Sequence, residues 1–303
     1  MGRPPESTPD GIQVTTVPLV RRLLLGVLAP LAVVVALAGS CWDAPATRPA
    51  VVGKPAPVVA TTPAAVHRPA VEPPQGRALR VALYGDSIAW ESRKPFLGML
   101  SQAGVQVTLH TFPASAICDW FPLMRSDATR QTVDAVVLVF TGAWYTPCVR
   151  DPATNQPLGG TTLLNKYLAD ARTAITINTQ AGIHVFLGLE PVPRRPMRSD
   201  PYALRAGLES LAATTRGVTL IPANLAVEGP AGEYLRTMPC ASFDPCDGWD
   251  AAGQRVVVIR GPDGIHFCPA VHTGWDCPVW SSGAVRYGTA LAGGILRAYG
   301  LRS

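Results

Sequence analysis

Two short stretches hold the residue types that acyl-transfer chemistry requires. Gly85-Asp86-Ser87 supplies a hydroxyl, and Pro262-Asp263-Gly264-Ile265-His266-Phe267 supplies a carboxylate and an imidazole three residues apart. A serine hydroxyl is a weak nucleophile until a base takes its proton, and the base needs a carboxylate to fix its tautomer. Ser87 is therefore the candidate nucleophile, His266 the candidate base and Asp263 its orienting acid. Either stretch alone has a plainer explanation: Ser87 as a helix cap, Asp263-Gly264 as a surface turn and His266 as a hydrogen-bonded loop residue. Together, at opposite ends of a folded region, they point to catalysis. Asp86 sits beside the nucleophile and is expected to brace the turn.

The elements that must position these residues can be read from the apolar runs. Leu79–Tyr84, Val105–Leu109, Ala135–Phe140, Ile183–Leu189 and Val218–Ile221 are short and rich in Val and Leu, as buried parallel strands are. Helical patterns lie between and after them at Trp90–Gln102, Leu123–Thr132, Thr162–Thr179, Pro201–Thr215 and Ser282–Tyr299. Gly104 and Gly182 stand where helices commonly end. The alternation predicts a three-layer α/β/α domain with a mainly parallel five-stranded sheet. In such sheets ligands bind at the carboxyl ends of the strands, where the turn after Tyr84 places Ser87. Gly85, with no Cβ, permits the sharp reversal there, and the N–H groups of the new helix face whatever the hydroxyl attacks.

Gly-Asp-Ser early and Asp-x-x-His late resemble the SGNH hydrolases, the GDSL-type esterases, over Leu79 to the C-terminus. The resemblance implies a flavodoxin-like strand order and an oxyanion hole built from the Ser87 N–H and two further blocks. The second block is a glycine after the second strand; here Thr111-Phe112-Pro113-Ala114-Ser115 occupies that place, with Ala114 its nearest match. The third block carries an asparagine whose amide completes the hole. Phe140-Thr141-Gly142-Ala143-Trp144-Tyr145 has none, and Ala143 or Trp144 takes its position. The Trp144 indole or the Tyr145 hydroxyl could donate instead, and their flat faces also suit a sugar. No metal or cofactor is expected. His110 and His184 read as packed side chains, and Arg194, Arg195 and Arg198 as a solvated run at the site edge, with an anion contact as the alternative.

The remainder of the 303 residues concerns delivery. Residues 1–22 end in Arg21-Arg22, an apolar segment follows at 23–40, and residues 41–78 form a linker crowded with proline, alanine and valine. Positive charge before the segment and a polar chain after it predict an N-terminus inside the cell and a domain, 79–303, outside. An uncleaved anchor, lipidation at Cys41 and clean cleavage all export the domain. Extended, the linker would reach about 100 Å. The six cysteines after Cys41 suit an oxidising compartment, with Cys118–Cys148, Cys240–Cys246 and Cys268–Cys277 the favoured pairs. A zinc set of His266, Cys268, His272 and Cys277 is the rival, with spacing unlike the usual zinc patterns. A net charge of +5, without a basic tract interleaved with aromatics, argues against nucleic acid.

The sequence thus leads to an exported, membrane-tethered, monomeric serine esterase acting on O-acyl groups, acetyl foremost, of envelope carbohydrate or on small esters. Acyl transfer to a glycan is the nearest alternative. A glycan-binding module that kept the fold without efficient catalysis is the alternative of another class.

Overall fold

A computed structural model describes residues 71–302 except 247, 272, 273 and 275. The apolar run, Cys41 and most of the linker lie outside the described residues, as does His272. Among the described residues no helix is long and apolar enough to cross a membrane.

The five apolar runs form one parallel sheet: β1 (Arg80–Gly85), β2 (Gln106–Thr111), β3 (Ala135–Val139), β4 (His184–Gly188) and β5 (Val218–Ile221). Their order across the sheet is β2-β1-β3-β4-β5, the flavodoxin-like arrangement. Helix α1 (Ser87–Gln102) follows β1, and α2 (Phe121–Arg130), α3 (Gly160–Gln180) and α4 (Pro201–Thr214) connect the later strands. The last helix, α5 (Ser282–Ala298), closes the chain against α1.

Period-two alternation along β1 assigns each helix to a layer. Val81 and Leu83 face a core shared with Ile88, Phe96 and Leu100 of α1 and Tyr287, Leu291 and Ile295 of α5. Ala82 and Tyr84 face the opposite core, with Met124 of α2, Tyr167 of α3 and Leu204 and Leu211 of α4. Both faces of the central strands are covered, which is why they read as unbroken apolar runs. The three-layer α/β/α expectation holds.

Two features depart from the sequence reading. Helix α1 begins at Ser87, three residues before the expected start, because the Asp86 carboxylate accepts from the Ile88 N–H at 3.1 Å and caps the first turn. A small antiparallel sheet also appears between β5 and α5. Its strands β6 (Thr237–Pro239), β7 (Gly248–Trp249) and β8 (Arg255–Val258) lie in the order β6-β8-β7. Through Val257 and the following Ile259 it joins the core under α1 and α5.

All three favoured disulfides form: Cys118–Cys148, Cys240–Cys246 and Cys268–Cys277. The last occupies two of the four ligands that the zinc alternative required. At the amino ends of the strands, Val71 donates to the carbonyl of Ala298 at 2.8 Å. It lines a depression there with Asp134, His184 and Gly217, which open or precede β3, β4 and β5.

Candidate active site

Gly85 closes β1 where a Cβ would lie 2.6 Å from the Val139 carbonyl oxygen and 2.3 Å from the Ala89 side chain. Only glycine lets the turn press this closely on β3, and the turn delivers Ser87 as the first residue of α1. Asp86 is fully buried behind it. Its second carboxylate oxygen accepts from the Thr141 N–H at 2.6 Å and the Thr141 hydroxyl at 2.7 Å, tying the Ser87 turn to the segment after β3. Burial pushes the Asp86 carboxyl up, against those hydrogen bonds and the charge of His266.

His266 and Asp263 sit on a loop between β8 and α5. Asp263 shapes that loop itself: one of its oxygens accepts from the backbone of Ile265 at 2.9 Å and of His266 at 3.1 Å. Gly264 between them has φ +74°, and a Cβ there would meet Arg194 at 2.6 Å. The buried Arg260 donates to the Ile265 carbonyl at 2.7 Å.

Across the cleft the three side chains meet. The Ser87 Oγ lies 2.8 Å from His266 Nε2, and His266 Nδ1 lies 2.5 Å from Asp263 Oδ2. For Nε2 to accept from the hydroxyl, Nδ1 must carry the proton and donate it to Asp263. Burial works against the charge on His266, but the Asp263 hydrogen bond and the anionic Glu91, Asp263 and Asp86 outweigh it and raise the imidazole above its ordinary value. Burial likewise opposes ionised Asp263. The His266 hydrogen bond and the backbone N–H groups prevail and hold its carboxyl well below the usual carboxylate range. The arrangement is a hydroxyl, an imidazole that can take its proton and a carboxylate that orients the imidazole, the set that serine nucleophilic catalysis requires.

The chain is similar to several solved structures at low identity. A GDSL-like lipase from Bacteroides thetaiotaomicron VPI-5482 is 14% identical, with a TM-score of 0.45 over 72% of this chain and 88% of that one. A catalytic mutant of an acetylxylan esterase from Geobacillus stearothermophilus is 13% identical, with a TM-score of 0.45 over 75% and 96%. The C-terminal catalytic domain of peptidoglycan O-acetyltransferase A from Streptococcus pneumoniae is 15% identical, with a TM-score of 0.44 over 75% and 98%. No family model matches the sequence, and no curated protein matches it.

Around Ser87 opens a cleft of about 580 Å³, a size usual for small-molecule sites. Ala114, Ala143, Trp144 and Tyr145 all line it. Ala114 has φ +66°, the left-handed region that favours glycine, so an alanine here adopts the backbone of the glycine that the resemblance leads one to expect. Ala143 is buried, and its carbonyl accepts from the Tyr167 hydroxyl at 2.7 Å. Trp144 and Tyr145 stack with ring centroids 4.9 Å apart, and the Arg198 guanidinium lies 5.8 Å from the Trp144 ring. Among the described residues no lysine or arginine lines the cleft.

The remaining candidates stand apart from this geometry. His110 packs on Tyr84 at 4.7 Å, and His184 pairs with the Thr219 hydroxyl at 2.9 Å. Two carboxylates escaped sequence reasoning. Glu91 lines the cleft one helical turn after Ser87, a relation visible only once α1 is known to start at Ser87. Glu190, just beyond β4, faces a small cavity that shares Thr141, Met197 and Ile265 with the cleft. Neither Glu190 oxygen has a hydrogen-bond partner, and burial, aided by the charge of Asp86, pushes its carboxyl well above the usual range.

Proposed function

We propose that this protein is an exported serine esterase that removes O-acyl groups, acetyl foremost, from carbohydrate of the cell envelope. The observation that carries the reading is the continuous Ser87–His266–Asp263 hydrogen-bond chain at the floor of an apolar cleft. His266 Nε2 takes the hydroxyl proton as the Ser87 oxygen attacks the ester carbonyl carbon. In this reading the N–H groups of Ser87 and Ala114, both lining the cleft, supply the donors for the oxygen that becomes negative. Collapse expels the alcohol, which takes the proton from His266 and leaves the acyl group on Ser87. Water then attacks with His266 as base and releases the carboxylic acid.

The substrate class rests on the cleft walls. Stacked Trp144 and Tyr145 offer flat apolar faces to a sugar ring, while among the described residues no lysine or arginine lines the cleft to counter a polyanion. Three disulfides suit an oxidising compartment, in keeping with export through the N-terminal apolar segment and a tether to the membrane. No cofactor enters the scheme, and a monomer completes the site.

The test is fluorophosphonate labelling of the full chain together with acetate release from p-nitrophenyl acetate and from O-acetylated xylan and peptidoglycan. Labelling and acetate release that both vanish in Ser87→Ala support the proposal. Labelling that persists in that variant would remove Ser87 as nucleophile. Acetate appearing on a glycan acceptor in place of free acetate would make the enzyme a transferase.

A further inference from the structure

Glu91 is a carboxylate in the cleft that the reaction above does not use. Ser87 and Glu91 are four residues apart on α1 and so share one face of the helix. A Glu91 oxygen accepts the backbone N–H of Phe267 at 2.5 Å, and the N–H of Cys268 donates to the same carboxylate. Phe267 immediately follows His266, and its ring is fully buried against Tyr287 at 5.4 Å. One turn of α1 thus holds the nucleophile, and the same face holds the peptide carrying the base. Arg93, nearby on the helix, adds a second tie by donating to Asp276 at 2.5 Å with its guanidinium over the Trp90 ring.

We propose that Glu91 is a positioning residue whose carboxylate clamps the His266 loop to the Ser87 helix and whose charge faces the imidazole. The proposal rests on reading Ser87 and His266 as nucleophile and base. A loop without regular hydrogen bonding cannot fix a 2.8 Å contact across a cleft by itself, and an error of about 1 Å at such a contact can cost a hundredfold in rate. The charged groups facing His266 are Asp263 from its own loop, Asp86 that caps α1, and Glu91 from α1. Those acting on Glu91 are His266 and Asp263, and Arg260, from the start of the loop, feels Glu91 in turn. Burial pushes the Glu91 carboxyl up, while His266 and the two N–H donors favour its ionised form.

Two substitutions in the full chain separate the clamp from the charge, read with p-nitrophenyl acetate and fluorophosphonate. Glu91→Gln keeps an oxygen for the Phe267 N–H and removes the charge. Its kcat at alkaline pH should stay within about tenfold of the parent, while the acid limb of kcat/KM moves to lower pH as His266 loses an anion. Glu91→Ala removes both functions, and kcat should fall about a hundredfold with KM little changed, labelling of Ser87 slowing in parallel. An acid limb unmoved in Glu91→Gln, or a folded Glu91→Ala with the parent's kcat, would overturn the proposal. Should Glu91→Ala fail to fold, the pH profile of Glu91→Gln alone decides. Labelling that survives Ser87→Ala sinks the esterase reading itself; Ser87-dependent labelling with both Glu91 profiles unchanged sinks only the clamp.

Discussion

Ser87 stands where a fully paired strand meets the first turn of a helix, whereas His266 and Asp263 stand on a loop held by scattered contacts. On the nucleophile's side, β1 is hydrogen-bonded to β2 and β3, Gly85 presses on β3, and Asp86 caps α1 while gripping Thr141. On the base's side the ties are the Asp263 turn, Arg260 on the Ile265 carbonyl, Glu91 on the Phe267 N–H and the Cys268–Cys277 bond. The first half is positioned by regular structure that the sheet would form in any case. The second half is positioned by individual side chains, so single substitutions there should disturb geometry more readily than stability.

The largest expected effects remove the chemistry itself. Ser87→Ala should lower kcat by about 10⁶ while leaving the melting temperature near that of the parent, since its Oγ contributes no core contact. Asp263→Asn should cost about 10⁴ by favouring the wrong imidazole tautomer. In the parent, kcat/KM should rise with pH as His266 loses its proton, with a midpoint above the ordinary histidine value because His266 is raised. Removing the Asp263 charge should carry that midpoint downward, read from the full pH profile of the residual activity.

Smaller effects sharpen the contrast between the two sides. Ala143→Asn restores an amide where negative charge develops. A fully restored donor is worth about 10²–10³ in rate, and with Ala143 buried a gain of about tenfold in kcat is expected. Measuring Trp144→Phe beside it shows whether the indole already donates, since a loss there with no gain from Ala143→Asn would assign the role to Trp144. Replacing Cys268 and Cys277 together by alanine should cost about 2–3 kcal/mol in denaturant unfolding for a loop of this length. It should lower kcat as well, because Cys268 lines the cleft. The corresponding change at Cys240 and Cys246, whose loop lies outside the cleft, should lower stability with kcat retained. Ala114→Gly relieves a left-handed alanine and should raise stability by up to about 1 kcal/mol, read as a rise of a few degrees in melting temperature.

The same contrast explains what could be read without coordinates. The apolar runs and the Gly-Asp-Ser turn were legible because a parallel strand buried on both faces leaves an unbroken signature and the turn after it has few solutions. Asp263 and His266 were legible as residue types at a useful spacing. The groups that hold them were not, since Glu91 and Arg93 reach the loop from a distant part of the chain, Arg260 folds back onto it from its start, and no local pattern announces any of them. The helix start was misplaced because Ser87 was weighed as a cap, while Asp86, one residue earlier, makes the capping bond. The small sheet was missed because strands of two to four residues are too short for alternation to register. The absent asparagine was visible, and the left-handed backbone at Ala114 was not.

The described chain begins at the amino ends of the strands, where Val71 bonds to the end of α5, and the cleft opens at their carboxyl ends. Val71 and the Ser87 cleft thus stand at opposite poles of the sheet. A load applied at Val71 would fall on the Val71–Ala298 bond and the foot of the sheet, leaving the Ser87 contact at the far end outside the line of force.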